Sequence, residues 1–81
     1  MPKINETDTF KGIKSKLDNS YLIRLQKLVI KIIQNPEIGK PMQYERKGTR
    51  ELYLTPFRIS YAYDSSSDIL TFLDIYHKKK Q

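Results

Sequence analysis

The 81-residue sequence contains no cysteine and a single histidine, His77. Without thiolates there is no disulfide framework and no zinc site built on cysteine, and one histidine makes a histidine-rich metal site implausible. We therefore predict no metal and no cofactor. No run of about 18 consecutive apolar residues occurs, so no membrane span is expected. The polar N-terminus lacks the apolar core of a signal peptide, and we expect a cytoplasmic protein.

Acidic residues are also few. Nine Asp and Glu stand against 15 Lys and Arg, which gives a formal net charge of +6. Such an excess favours polyanionic partners such as nucleic acid, an acidic protein segment or an anionic surface, although it also serves solubility alone. The length predicts one small domain over residues 1–81.

The beginning of the chain is patterned as a short strand followed by an amphipathic helix. The segment PKIN predicts an edge strand, and Thr7 or Asp8 is a suitable helix N-cap. Apolar residues then recur at helical spacing, with lysines between them, at Phe10, Ile13 and Leu17.

A second helix is the clearest element of the sequence. The segment YLIRLQKLVIKIIQN carries a broad apolar stripe with basic residues on the other side. Ser20 is a candidate N-cap, and the helix should end at Asn35, because the residue before Pro36 is pushed away from helical conformation. The short DNS break at 18–20 predicts that the two helices form an antiparallel hairpin.

Beyond a loop rich in proline and glycine, the apolar pattern takes on the two-residue period of strands. RELYLT and FRISYAY alternate, and DILTFLDIY is apolar on both faces through Phe72, as a central strand is. Pro56 and the stretch DSSSD mark the two turns between these strands. The order β-α-α-β-β-β predicts an α+β fold, in which a helix hairpin packs on one face of a small antiparallel sheet.

One face of this predicted sheet is polar and has no element left to cover it. Glu51, Tyr53, Arg58 and Ser60 alternate onto it, opposite the apolar residues that pack on the helices. The last strand delivers its basic end to the rim of the same face. Tyr53 or Tyr76 could stack there on a splayed nucleobase.

These residue types allow RNA cleavage through the 2′-hydroxyl, a reaction that needs no metal. It requires a base for the 2′-hydroxyl, cations for the charge that builds on the phosphate, and an acid for the leaving oxygen. Arg58 suits the phosphate because its guanidinium binds two oxygens at once. His77 could carry a proton near neutral pH, and Glu51 or Glu45 could be the base.

Each of these residues also has a purely structural explanation. Arg58 can be an ordinary cross-strand ion-pair partner of Glu51. A lone histidine near a terminus is often solvated, and Lys78–Lys80 can be a solvated tail. Other chemistry has less support, because the sequence has no Gly-rich phosphate loop, no nucleophile elbow and no metal-ligand spacing.

The segment from NPEIGKP through KGTRELYLTPFRISYAY to YHKKKQ resembles the RelE/ParE superfamily of bacterial and archaeal toxins from toxin–antitoxin pairs. Family members typically show an Asn-Pro-x-x-Gly-Lys-Pro turn, a Lys-Gly-x-Arg-x-Leu strand, a Tyr-Arg-x-x-Tyr strand and a final His-Arg or His-Lys. Each motif is weak alone, but their order and spacing over roughly residues 20–81 are fairly specific. The resemblance implies the same helix hairpin on an antiparallel sheet.

The resemblance further implies a ribosome-dependent mRNA endonuclease that inhibits translation. Arg58 matches the arginine that contacts the scissile phosphate in RelE-like enzymes. His77 matches the general acid of YoeB-like members, with Tyr76 before it. Lys78 matches the position where RelE has a charge-stabilising basic residue.

Glu51 and Tyr53 stand where RelE carries two basic residues. The resemblance therefore favours a Glu/Arg/His set closer to the YoeB-like members, with Glu51 or Glu45 as the base. Other basic residues are expected to contact the messenger or ribosomal backbone without reading sequence. They are Arg46, Lys47, Arg50, Lys79 and Lys80, together with Lys78.

The resemblance also implies a partner and an alternative function. A cognate antitoxin, acidic enough to suit the +6 charge, is expected to place a helix in an apolar groove of the toxin. ParE-type members share the fold but inhibit DNA gyrase and lack nuclease chemistry, and they are the principal alternative. A binding domain with no active target is a third possibility.

Overall fold

Five strands form one mixed sheet in the order β1-β5-β4-β3-β2. The computed structural model describes residues 1–77. Its strands are β1 (Lys3–Glu6), β2 (Lys40–Pro41), β3 (Arg50–Leu54), β4 (Phe57–Asp64) and β5 (Ile69–His77). The predicted α+β class is confirmed, but the sheet is not purely antiparallel, since β1 pairs in parallel with β5. Between β1 and the rest of the sheet the chain passes through both helices.

Helix α1 (Asp8–Lys14) starts at Thr7, one of the two predicted caps. The Thr7 hydroxyl accepts the Phe10 N–H at 3.0 Å and donates to the Leu73 carbonyl at 2.6 Å. One side chain therefore both caps the helix and fastens its first turn to β5.

Helix α2 (Asn19–Gln34) begins earlier than predicted, with Asp18 as its N-cap. The Asp18 carboxylate accepts the Tyr21 N–H at 3.1 Å and the Ser20 hydroxyl at 2.8 Å. The predicted Ser20 cap is wrong, because Ser20 already lies in the first turn and donates to the true cap. The C-terminal end agrees with the prediction, since Asn35 is the C-cap. Neither helix within residues 1–77 is long and apolar enough to span a membrane.

The core lies between the two helices and one face of the sheet. Leu54, Ile59 and Tyr61 are buried in it, as the strand alternation predicts, and Leu52 and Phe57 are partly buried against it. The buried apolar set consists of Phe10, Leu25, Ile32, Leu54, Ile59, Tyr61, Leu70, Phe72 and Ile75. Residues Thr55 and Pro56, joined by a cis peptide, form the predicted tight turn between β3 and β4.

The loop that follows α2 is tied to the sheet by two side chains. The Tyr61 hydroxyl donates to the Pro36 carbonyl at 2.8 Å and accepts the Gly39 N–H at 2.8 Å. Arg50 donates to the Glu37 and Gly39 carbonyls at 3.0 and 2.8 Å. These bonds explain the NPEIGKP motif in physical terms, because its backbone groups are satisfied by strand residues rather than by water.

Candidate functional site

The face of the sheet turned away from the helices includes two neighbouring rows of three side chains each. We call it the open face. Strand register places Tyr53, Arg58 and Tyr76 side by side in one row, and Glu51, Ser60 and Asp74 in the next. Directly opposed side chains on neighbouring strands are close enough to interact, so the rows define a possible reaction surface.

Glu51 is at the centre of a charged cluster, although it is only 6% exposed. Its Oε1 accepts a hydrogen bond from Arg58 at 3.3 Å. Its Oε2 accepts one from Arg46 at 3.0 Å and one from the Tyr76 hydroxyl. Two guanidinium groups and a phenol thus compensate the burial of one carboxylate, which would otherwise be costly.

Arg58 is largely enclosed, with 17% of its side chain exposed. One amino group bonds Glu51, and the other donates to the Tyr53 hydroxyl at 3.2 Å. The Tyr53 ring lies 4.9 Å from the guanidinium carbon, which is a cation–π distance. The Arg58 Nε is buried and has no hydrogen-bond partner within residues 1–77. The ion pair with Glu51, left open by the sequence, is therefore present.

Arg46 approaches the cluster from a 3-10 turn, Tyr44–Arg46, that follows β2. It donates to the Tyr76 hydroxyl at 2.8 Å through the same amino group that bonds Glu51. Tyr44 enters this turn in the left-handed region at φ 59°, which is uncommon for a residue other than glycine. The turn places the Arg46 guanidinium over the sheet. The alternation of strand residues could not predict this position.

Tyr76 is held in its protonated form. Burial raises the pKa of its phenol above the ordinary value, and the hydrogen bond to Glu51 and the negative charge of that carboxylate raise it further. The pKa of Arg46 is also raised, first by its hydrogen bond to Tyr76. At neutral pH the Tyr76 hydroxyl consequently keeps its proton and donates a hydrogen bond to Glu51.

A polar cleft of about 490 Å³ lies beside this cluster. Glu45, Arg46, Ser60, Asp74 and Tyr76 contribute to its lining. The sequence did not single out Asp74, although a signal was available: Asp74 and Tyr76 alternate in FLDIY, so both belong on the same face of β5.

His77 lies on the other face of the sheet. It is opposite Phe57 in the strand register, and their rings meet edge to face with centroids 5.9 Å apart. Phe57 in turn contacts Tyr21 of α2, which identifies this as the helix side. The expected placement of His77 beside Arg58 on the open face is wrong, because neighbouring residues in a strand point to opposite faces.

Of the other predicted site residues, Tyr53 lies on the open face beside Arg58, and the other described ones lie elsewhere. Arg50 is engaged by the loop after α2, as described above. Glu45 and Lys47 are exposed on the loop around the 3-10 turn. Tyr53 presents its ring at the surface with 61% exposure, as a stacking residue requires. The predicted residues Lys78–Lys80 lie outside the described residues.

The fold and this face define a small α+β protein with a cationic and acidic cluster on an uncovered sheet. A family model described as "ParE toxin of type II toxin-antitoxin system, parDE" matches residues 7–81. The chain therefore belongs to this family, within the RelE/ParE superfamily, and is a toxin of a type II toxin–antitoxin system. No curated protein sequence matches it.

Solved structures share the fold at low sequence identity. The RelBE2 toxin–antitoxin complex of Mycobacterium tuberculosis matches with a TM-score of 0.83 and 22% identity, over 96% of this chain and 100% of that one. Isolated E. coli RelE toxin gives a TM-score of 0.83 at 11% identity, over 100% and 88% of the two chains. A YoeB/ParE toxin from Agrobacterium tumefaciens gives 0.82 at 14%, over 93% and 96%.

Proposed function

We propose that this toxin is a metal-independent endoribonuclease that cleaves mRNA on the ribosome and so inhibits translation. The observation that carries the proposal is the open-face cluster, in which two guanidinium groups and a protonated phenol surround one carboxylate beside a cleft. Cleavage through the 2′-hydroxyl needs cations and proton-transfer groups, and these side chains supply both.

In this proposal Arg46 and Arg58 both stabilise the negative charge of the phosphate, but in different ways. Arg46 has half of its side chain exposed and lines the cleft, and only one of its three guanidinium nitrogens is hydrogen-bonded within residues 1–77. It can therefore bind phosphate oxygens directly. Arg58 adds a second positive charge to the cluster, although its guanidinium is largely enclosed and donates to both Glu51 and Tyr53.

The surroundings of the cluster suit RNA backbone and bases. Lys47 lies on the loop beside Arg46 and can contact phosphates, while the exposed Tyr53 ring can stack on a base. Backbone contacts of this kind hold the messenger in place and weaken steeply with salt.

We also propose that a cognate antitoxin neutralises the toxin in the cytoplasm. Relatives of the same fold are known in toxin–antitoxin complexes, such as RelBE2. An apolar groove of about 520 Å³ between α1 and α2, with Leu22, Val29 and Ile30 among its lining residues, can accept an amphipathic helix. The +6 charge favours an acidic partner.

Primer extension on transcripts from cells that express the toxin tests the nuclease. We expect cuts within translated codons, and we expect Arg58→Ala to reduce them by about 10²-fold or more, because a cation that stabilises the transition state is lost. Arg24→Ala is the matched control, since Arg24 is an exposed arginine on α2, away from the open face. Intact transcripts at toxic expression levels would refute the proposal.

Inhibition of DNA gyrase is the second candidate, and one observation favours it: the matching family model describes ParE toxins. The same cells distinguish the two functions. A gyrase inhibitor leaves mRNA intact, induces DNA damage signalling and filamentation, and blocks supercoiling by purified gyrase. A chain with no effect on growth would contradict both.

A further inference from the structure

Asp74 has no role in the reaction as described so far, yet it lies on the open face at the edge of the cleft. It lies opposite Ser60 on β4 and two residues before Tyr76 on β5. It is partly buried, and it lines the 490 Å³ cleft together with Arg46 and Tyr76.

Glu51 and Asp74 differ in their capacity to accept a further proton or hydrogen bond. An ionised carboxylate offers about four acceptor positions. Glu51 uses three of them and is only 6% exposed, so at most one acceptor position remains on a side chain that is nearly enclosed. Asp74 accepts only the Ile75 N–H, at 2.8 Å, within residues 1–77. A general base needs hydrogen-bond reach to the proton that it removes, and Asp74, which lines the cleft, has more unused acceptor positions than Glu51.

We propose that Asp74 is the general base of the cleavage reaction, an assignment that rests on the proposed function. It removes the 2′-hydroxyl proton as the 2′-oxygen forms its bond to phosphorus. The bond from phosphorus to the 5′-oxygen breaks, and that oxygen takes the phenolic proton of Tyr76, which leaves its hydrogen bond to Glu51 in this step. The proton on Asp74 then passes through solvent to the Tyr76 phenolate. The products are a 2′,3′-cyclic phosphate and a 5′-hydroxyl, with no net gain or loss of protons.

The spacing of the two proton-transfer groups fits this sequence of steps. Residues two apart on one face of a strand are separated by about 7 Å, which leaves room for one phosphoryl group between Asp74 and Tyr76. The Nε and Nη2 of Arg46 make no hydrogen bond within residues 1–77 and can hold the phosphate oxygens as a fork. Glu51 is then a positioning residue, which holds Arg46 and Tyr76 beside the cleft.

Single-turnover cleavage of mRNA on purified ribosomes tests the assignment. We expect Asp74→Asn to slow cleavage by about 10²–10⁴-fold, the usual contribution of a general base, with ribosome binding unchanged. The asparagine can still accept the Ile75 N–H, so the thermal unfolding midpoint should stay near that of the unmodified protein. Asp74→Glu should recover part of the rate. Asp68→Asn, which makes the same charge change in the distant turn before β5, is the control.

The pH dependence separates Asp74 from Glu51. The charged or titratable groups that face Asp74 across the cleft are Glu45 and Arg46 of the 3-10 turn and Tyr76 of its own strand, while β4 presents Ser60 and α1 presents Thr9. The rate of the unmodified toxin should fall on acidification as the base is protonated. The cleavage rate of Asp74→Asn should no longer fall as the pH is lowered. The rate of Glu51→Gln should still fall, from a lower overall value.

Each outcome of this experiment is decisive. Cleavage by Asp74→Asn at the unmodified rate, or loss of the acid fall in Glu51→Gln instead, would overturn the assignment and leave the nuclease proposal intact. If the unmodified toxin does not cleave mRNA on ribosomes, the proposed function fails, and the role of Asp74 fails with it.

Discussion

Among the three glycines, Gly39 is the one at which substitution by alanine should destabilise the fold most. A Cβ there would lie 2.6 Å from the Tyr61 hydroxyl, 2.9 Å from Tyr61 Cε1 and 3.0 Å from Arg50 Cβ. Tyr61 is fully buried, and its hydroxyl makes two hydrogen bonds to the loop, so it has no open space into which to move. In Gly39→Ala, either the loop lifts from the sheet or the tyrosine shifts within the core.

Both responses are expensive. Overpacking a well-packed site costs about 1–3 kcal/mol. Leaving a buried hydrogen-bonding group unsatisfied costs about 1–3 kcal/mol. We therefore expect Gly39→Ala to lower the free energy of unfolding by about 2–4 kcal/mol. Tyr61→Phe removes the nearest clashing atom, so the double variant Gly39→Ala/Tyr61→Phe should cost less than the sum of the singles, with a coupling of about 1 kcal/mol.

Urea unfolding at equilibrium measures these differences, and the two other glycines are controls. Nothing lies within 4 Å of a Cβ at Gly12, inside α1, so Gly12→Ala should stabilise by about 0.5–1 kcal/mol. Gly48 also has open space but a φ of +95°, so Gly48→Ala should cost about 1–2 kcal/mol from the backbone alone. A Gly39→Ala effect no larger than that of Gly48→Ala, or strict additivity with Tyr61→Phe, would refute the steric reasoning.

Two further predictions concern the helix caps. Thr7→Val removes both hydrogen bonds of the hydroxyl that joins α1 to β5, and urea unfolding should show a loss of about 1–2 kcal/mol. Thr9→Val, at an exposed position in the same helix, should change little. For Asp18, bonds from the Tyr21 N–H and the Ser20 hydroxyl hold the pKa below 3.8, so its contribution to stability is present above pH 3.8 and is lost as the pH falls through the lower folded value. Asp18→Asn should flatten that part of an acid unfolding curve, and an unchanged curve would contradict the cap.

Local patterns account for much of the fold. The apolar stripe of α2, the proline that follows it and the alternation of β3 and β4 each depend on near neighbours in the sequence, and the structure agrees with each. The Ser20 cap failed because Asp18 competes for the same N–H groups with a charged acceptor. The parallel pairing of β1 could not be read from a four-residue strand, because pairing partners are chosen by the whole sheet.

The site was predictable only in part, for two different reasons. Arg58, Glu51 and Tyr76 follow from strand alternation, and the same rule places His77 on the opposite face, so that error lay in how the pattern was applied. The position of Arg46 depends on a left-handed residue and a 3-10 turn, features that no periodicity encodes. The open face was therefore visible in the sequence, but the group that completes its cluster was not.

The motifs that carry the family resemblance and the groups proposed for its chemistry have different roles. The first stabilise the fold, and the second lie on the open face. NPEIGKP and the arginine of KGTREL fasten a loop to the sheet through Arg50 and Tyr61, so their shared spacing testifies to a common fold. Glu51, one of the two residues expected as the base, stands on the open face and there binds two arginines. Substitutions in the loop should accordingly change stability and activity together. Asp74→Asn should change activity while the free energy of unfolding stays nearly constant, because its one hydrogen bond survives the exchange.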